Sequence, residues 1–156
     1  MNKVLFVCLG NICRSAMAEG ACRAEINRRG IDDIIVDSAG TSDWHIGDAP
    51  DARAITAAKR RDIDIAGQTA RQICDSDFDQ FDFILAMDGS NLAKLRAAAG
   101  EHRQGKIRLF LDFARDLAVR EVADPYYGGD DGFDDTLDLL DIGVRALADH
   151  IVRSRS

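Results

Sequence analysis

The chain has 156 residues, 46% of them apolar and 30% charged, with a net charge of −7. That length holds one full-sized hydrophobic core, and the expectation is a single domain over residues 1–156. The acidic balance excludes a generic nucleic-acid or anionic-membrane binder; any small anion bound by such a chain would have to be held by local dipoles and a few cations in a small, shaped pocket.

The first apolar run, Val4-Leu5-Phe6-Val7, reads as a buried strand. It is too short for a secretory signal, and Gly10-Asn11 interrupts it. No stretch approaches the length of a membrane span. The expected location is therefore cytoplasmic, with no membrane and no nucleic-acid partner. Ser15 to about Arg29 reads as the first helix, with Met17, Ala18, Ala21, Cys22 and Ile26 on one face, Ser15 as a cap and Gly30 as the stop. Ile34-Ile35-Val36 predicts a short buried strand, followed by a polar loop over Asp37-Ser38-Ala39-Gly40-Thr41 and on through Asp43-Trp44-His45-Ile46-Gly47. Pro50 suits the first turn of a second helix running to about Arg61.

Phe81 to Met87 is the third strand candidate, and Asp88-Gly89-Ser90 starts a helix with Leu92, Leu95 and Ala99 on one side. Ile107 to Leu111 is the fourth. Leu137, Leu140, Val144, Leu147 and Ile151 alternate spacings of three and four, which predicts a C-terminal amphipathic helix. Its first turn is rich in Asp, and Arg153 and Arg155 lie at its end, matching the helix dipole. Strands alternating with helices imply an α/β fold, a parallel sheet with helices on both faces. Ligands of such sheets sit beyond the carboxyl ends of the strands, so the loops Cys8–Ser15, Ser38–Gly47 and Met87–Ser90 should share one edge.

The cysteines are Cys8, Cys13, Cys22 and Cys74, without a CxxC pair, and His45, His102 and His150 lie far apart. Neither a disulfide framework nor a metal site or other cofactor is expected. The loop from Cys8 to Ser15 carries the chemistry. It joins a strand to a helix N-terminus, the usual way to build an anion site. No proline stands among residues 9 to 15, so every backbone N–H of Leu9, Gly10, Asn11, Ile12, Cys13, Arg14 and Ser15 is available to a phosphate oxygen. Arg14 can add a bidentate grip that Lys could not match. The same donors and the helix dipole favour the thiolate of Cys8, the form that attacks. The Cys-x5-Arg spacing alone carries little weight, because Cys22 and Arg28 repeat it inside the first helix with no turn and no preceding strand.

Val-Cys-Leu-Gly-Asn-Ile-Cys-Arg-Ser resembles the signature loop of the low-molecular-weight protein tyrosine phosphatases. Asp37-Ser38-Ala39-Gly40-Thr41, Ala70-Arg71-Gln72, Ala86-Met87-Asp88 and Asp124-Pro125-Tyr126-Tyr127 are similar to further segments of that family, in its order. The resemblance implies a three-layer sandwich with a four-stranded parallel sheet, flavodoxin-like or Rossmannoid. It implies a metal-independent phosphomonoester hydrolase acting on phosphotyrosine-containing proteins and small aryl phosphates, as a monomer or weak dimer.

The resemblance also assigns roles. Cys8 would be the nucleophile and Arg14 the clamp on the phosphate and its transition state. Asp124 would be the general acid and then the base; an Asp before Pro125 has a restricted backbone, which suits that work. Ser15 would hydrogen-bond the Cys8 thiolate, while Asn11 and Ser38 would brace the loop. Trp44, Tyr126 and Tyr127 would wall the cleft, and Cys13 would be a redox partner forming a reversible disulfide with Cys8. Ala16 stands where many relatives have Pro, and Gln68 where some carry a His. Two other readings share this loop. An arsenate reductase of the same fold would need further cysteines for its relay, and Cys74 is the one cysteine beyond the first helix. A non-catalytic phosphotyrosine-binding module would need neither Cys8 nor Asp124.

Overall fold

The structure is a computed structural model that describes residues 1–129 and 131–155; Asp130 and Ser156, both inside the expected 1–156 domain, lie outside the described residues. Four parallel strands are ordered β2-β1-β3-β4. They are β1 (Asn2–Cys8), β2 (Ile34–Gly40), β3 (Phe83–Ala86) and β4 (Ile107–Leu109). The helices are α1 (Arg14–Arg29), α2 (Ala52–Lys59), α3 (Asp77–Gln80), α4 (Gly89–Ala99) and α5 (Asp131–Ser154). The expected α/β sandwich is the observed fold.

Strand β1 is central, and its apolar run explains why. Val4, Leu5, Phe6 and Val7 are all fully buried, which suits a strand covered on both faces. Val4 and Phe6 join one core with Met17 and Cys22 of α1 and Leu140 and Val144 of α5. Leu5 and Val7 point the other way, into a second core with Phe78, Phe81, Leu95 and Ala99. The period of two along the strand thus builds both layers, and each buried Val, Leu or Phe contributes about 1.5–3 kcal/mol. Helix α1 stops where Gly30 takes φ 70°, a left-handed cap whose N–H bonds back to the Asn27 carbonyl.

Several expected boundaries move, each for a local reason. Ser15 is not the cap of α1: the helix begins at Arg14 with Cys13 in the cap position and no side-chain cap bond. The Ser15 hydroxyl is turned to Cys8 instead. Asp37–Gly40 is strand rather than loop, because these residues stay in register with β1 from Leu5↔Asp37 to Cys8↔Gly40. Pro50 lies before α2, whose cap is Asp51, the better acceptor for the free Arg53 N–H. Strand β3 stops at Ala86, one residue before the expected Met87. Strand β4 ends at Leu109, where its pairing with β3 runs out and residues Phe110–Phe113 tighten into a 3-10 turn that buries Phe110 and Leu111. The four-residue α3 had no counterpart in the sequence reading.

The three loops expected at one sheet edge do meet there. Thr41 N donates to the Cys8 carbonyl, Ser42 N to the Leu9 carbonyl and Met87 N to the Val7 carbonyl. Among the described residues, no helix is long and apolar enough to cross a membrane.

Candidate active site

The loop between β1 and α1 curls over the end of β2. Gly40 makes the approach possible: a Cβ there would stand 2.8 Å from the Leu9 carbonyl oxygen and 3.2 Å from the Asn11 nitrogen. Asn11 sits at the bend with φ 60°, a left-handed conformation that costs a non-glycine residue about 1–2 kcal/mol and is least costly for Asn and Asp. The side chain is tied at both ends. Its Nδ2 donates to Ser15 Oγ at 2.8 Å and to Ser38 Oγ at 2.9 Å, and its Oδ1 accepts from Arg71 N at 3.0 Å.

These bonds set the direction of two protons. Each serine oxygen already accepts from Asn11, so each hydroxyl hydrogen is free to be passed on. Ser38 gives its hydrogen to Glu19 Oε1 at 2.7 Å. Ser15 points its own at Cys8 Sγ at 3.0 Å. The Asn11 N–H adds a second donor to that sulfur at 3.3 Å. Glu19 is buried and is held in turn by Arg23 Nε at 3.1 Å. Cys8, Ser15, Asn11, Ser38 and Glu19 therefore form one connected chain under the loop.

The N-terminus of α1 is left open toward the cleft, with no acidic residue in its first turn. By contrast, α2 and α4 are capped by the carboxylates of Asp51 and Asp88. An uncapped helix start whose dipole has no carboxylate partner suits an incoming anion.

Arg14 is buried, with only 2% of its surface exposed. Its Nη1 donates to Asp88 Oδ2 at 2.6 Å and to the Val122 carbonyl at 2.9 Å. Its Nη2 lies 3.6 Å from Asp124 Oδ2, an ion-pair distance and not a hydrogen bond. The other edge of the guanidinium is then available to oxygens in the cleft. Asp124 arrives from over a hundred residues away, at the start of the 3-10 turn Pro125–Tyr127, and its Oδ1 accepts from Tyr126 N at 3.0 Å.

A cavity of about 300 Å³ brings these groups together. Cys8, Cys13, Arg14 and Asp124 line its floor and side, while Trp44, His45, Tyr126 and Tyr127 stand around it. Trp44 and Tyr127 are strongly exposed, and the Tyr126 and Tyr127 rings pack edge to face at 5.1 Å. Of the loop residues, Leu9, Gly10 and Ile12 also line the cavity. Ser15, Asn11 and Ser38 lie behind the loop.

All four cysteines are free. Burial first, then the Asp51 carboxylate, pushes the Cys13 thiol far above its ordinary range. Burial likewise pushes Cys22 up to about 12. Cys74 is exposed, hydrogen-bonded to Ser76 and Asp77, and is not among the residues lining the cleft. The two departures from the family pattern turn out to touch: Gln68 Nε2 donates to the Ala16 carbonyl at 3.0 Å. Gln68 thus holds the first turn of α1, and the brace behind the loop runs to Glu19 instead.

Sequence reasoning missed several residues that shape this site. Asp88, in sequence a helix start within a family-like segment, is the carboxylate that fixes Arg14. Glu19 ends the chain under the loop, and Arg71 supplies it with a backbone N–H. His45, in sequence one residue of the polar loop after β2, leans over Gly10, where a Cβ would meet its ring at 2.9 Å. Arg53 carries no local sequence signal. Only Asp88 left a usable signal, standing just after β3 at the sheet edge where the loop lies.

The family model described as low molecular weight phosphotyrosine protein phosphatase matches residues 3–156. A low molecular weight phosphotyrosine protein phosphatase of Schizosaccharomyces pombe is 44% identical over 148 residues, covering 93% of this chain and 94% of that protein. The crystal structure of YfkJ from Bacillus subtilis superposes with a TM-score of 0.95 at 39% identity, covering 100% of this chain and 98% of that one. A protein tyrosine phosphatase from Entamoeba histolytica, crystallised with Hepes in its active site, gives a TM-score of 0.95 at 36% identity, with both chains fully covered. A match that runs along nearly the whole sequence, with relatives this similar over nearly their whole lengths, means that the chain belongs to the low molecular weight phosphotyrosine protein phosphatase family.

Proposed function

We propose that residues 1–156 act as one cytoplasmic catalytic domain that hydrolyses phosphotyrosine in proteins, and small aryl phosphates, through a phosphocysteine intermediate. The observation that carries this reading is the meeting of Cys8, Arg14 and Asp124 at one cavity with an aromatic rim. A phosphate seated on the loop amides and the open start of α1 lies in line with the Cys8 sulfur, and a phenyl ring attached to it reaches Trp44, Tyr126 and Tyr127.

In the first step the Cys8 thiolate forms the S–P bond as the P–O bond to the aryl group breaks. Asp124 gives its proton to the departing oxygen, so the leaving group is a phenol and not a phenolate. In the second step Asp124 takes a proton from water, the water oxygen bonds to phosphorus, and the S–P bond breaks. Inorganic phosphate leaves, and the Ser15 hydroxyl stabilises the returning thiolate. Arg14 and the loop amides stabilise the equatorial oxygens in both steps, so no metal ion is required.

The test is rapid-quench hydrolysis of an aryl phosphate. The expected result is a burst of aryl alcohol equal to the enzyme present, unchanged by a chelator, with phosphate recovered on Cys8 in the quenched protein. Turnover that survives Cys8→Ser overturns the assignment of the nucleophile.

A further inference from the structure

A second cavity, of about 790 Å³, lies outside the catalytic cleft and shares no residue with it. It opens between the turn Phe110–Phe113 with the loop that follows and the C-terminal half of α5. Its apolar lining comes from Phe113, Leu117, Ile142 and Ala146. The rings of Phe113 and His150 stand 5.0 Å apart, and Phe83 packs edge-on against both at 6.1 Å.

Four arginines line the same cavity, in a protein whose net charge is −7. Arg145 is engaged by Asp141 at 3.1 Å. Arg108, Arg115 and Arg153 make no side-chain hydrogen bond or ion pair among the described residues; Arg108 lies over the Phe113 ring at 4.1 Å. Three carboxylates are also present. Asp149 is taken by Arg29 at 2.8 Å, and neither Asp112 nor Asp116 is ion-paired to any of these arginines.

The His150 ring lines the same cavity as these arginines. Burial and then Arg108, Arg153 and Arg115 hold it below the ordinary histidine range. The three guanidiniums without an ion-pair partner among the described residues therefore line one cavity together with that ring. Like charges gathered this way repel one another, and an anion placed among them relieves the repulsion.

We propose that this cavity is a second anion site that takes a small phosphorylated organic molecule. Arg108, Arg115 and Arg153 hold the phosphate, and Phe113, Leu117 and Ile142 hold its apolar or aromatic body. Guanidinium forks match phosphate oxygens in pairs. The volume lies within the range of about 300–1,000 Å³ usual for small-molecule sites, which also combine an apolar lining with a few polar groups. The loop at its wall continues along the chain to Asp124, and Arg120 ties its first turn through the Ala114 and Arg115 carbonyls at 3.4 and 3.3 Å. A ligand here touches the start of the loop that runs on to Asp124.

The probe is 1-naphthylmethylphosphonate, which cannot be hydrolysed, titrated into the whole nitrogen-15-labelled protein and followed by NMR. Amides of Cys13–Ser15 report the catalytic cleft, and amides of Phe113–Leu117 report the second cavity. Two separate saturable sets of shifts are expected. In an Arg108→Gln, Arg153→Gln variant the second set should weaken by about tenfold or more in Kd while the first keeps its Kd, which also shows that the variant is folded. Three results overturn the proposal: no saturable shift at Phe113–Leu117 into the millimolar range, an unchanged second set in the variant, or equal shifts with 1-naphthylmethanol, which lacks the phosphonate.

Discussion

Residues 8–15 and residues 124–127 face the same cleft from opposite sides, and they are held in different ways. In the first group, Cys8 and every residue from Asn11 to Ser15 are buried, and each end of Asn11 is tied by hydrogen bonds. In the second, Tyr127 is 86% exposed, and with Trp44 at 69% it stands almost free in water. The difference follows the chemistry each side faces. In the proposed reaction phosphorus changes its bonding geometry, and misplacing a donor by about 1 Å costs about a hundredfold in rate. An aromatic ring sliding against other rings tolerates far more. Between the two stands Asp124, which as the proposed general acid must be as accurate as the loop yet belongs to the exposed side.

The largest expected effect tests the rigid side. Arg14→Lys keeps the charge beside Asp88 but loses the planar fork. We expect kcat on an aryl phosphate to fall by about 10²–10³, the usual loss for an electrostatic donor to a transition state, with little change in KM. A variant within tenfold of wild type would mean that a point charge suffices and that the exact tie from Asp88 to Arg14 is not needed for catalysis.

A smaller effect tests how the exposed side is held. Arg53 is clamped by both oxygens of Asp51, at 3.1 and 3.0 Å, and its Nη2 donates to the Tyr126 carbonyl at 3.1 Å. The same guanidinium lies 5.3 Å from the Tyr126 ring centre and 4.7 Å from that of Phe133. Asp51 N donates to the Ile12 carbonyl at 2.8 Å, so this strut links the phosphate loop to the Asp124 segment. Arg53→Gln should leave cleavage of an activated aryl ester nearly unchanged, because that leaving group needs no proton. It should slow phosphotyrosine, a poor leaving group, by about tenfold through a displaced general acid. Equal slowing of both substrates would place the strut in loop integrity and not in the positioning of Asp124.

The same contrast explains what the sequence made legible. The four strands and the loop after β1 could be read because their signals are local: an apolar run, a Gly-Asn bend, a start of a helix. The C-terminal helix likewise shows itself by its spacing of three and four. Asp124 came only through family resemblance, since an Asp-Pro pair is also an ordinary turn. Glu19, Arg71 and Asp88 act through partners 19, 60 and 74 residues away, and no local pattern carries such information. Ser15 shows the opposite case. Its local signal is a cap, but the Cys8 sulfur, 3.0 Å away and 7 residues earlier in sequence, claims the hydroxyl, as the family resemblance implies and the local pattern does not.

The smallest expected effect concerns the outermost tie of the rigid side. Asp77 is buried and accepts from Arg71 Nη1 at 2.9 Å, from Arg71 Nη2 at 3.1 Å and from Cys74 N at 2.8 Å. Burial pulls its carboxyl upward, but the Arg71 and Cys74 hydrogen bonds outweigh it and hold the group below the usual carboxylate range. A carboxyl depressed on folding contributes stability that is present above its unfolded pKa, about 3.9, and lost as pH falls through its folded value. Asp77→Asn removes the charge at every pH. We expect it to lower unfolding free energy near neutrality by about 1–3 kcal/mol, the worth of hydrogen bonds to a charged group. The gap to wild type should close as pH falls below about 4, measured by urea unfolding across that range. Activity should change only a few-fold, because Asp37 still holds Arg71 at 3.1 Å and the N–H that Arg71 gives to Asn11 belongs to the backbone. Parallel stability curves for the two proteins would show that the pair is matched by an equal interaction in the unfolded chain, and that the rigidity of the loop ends at Arg71 and does not extend to Asp77.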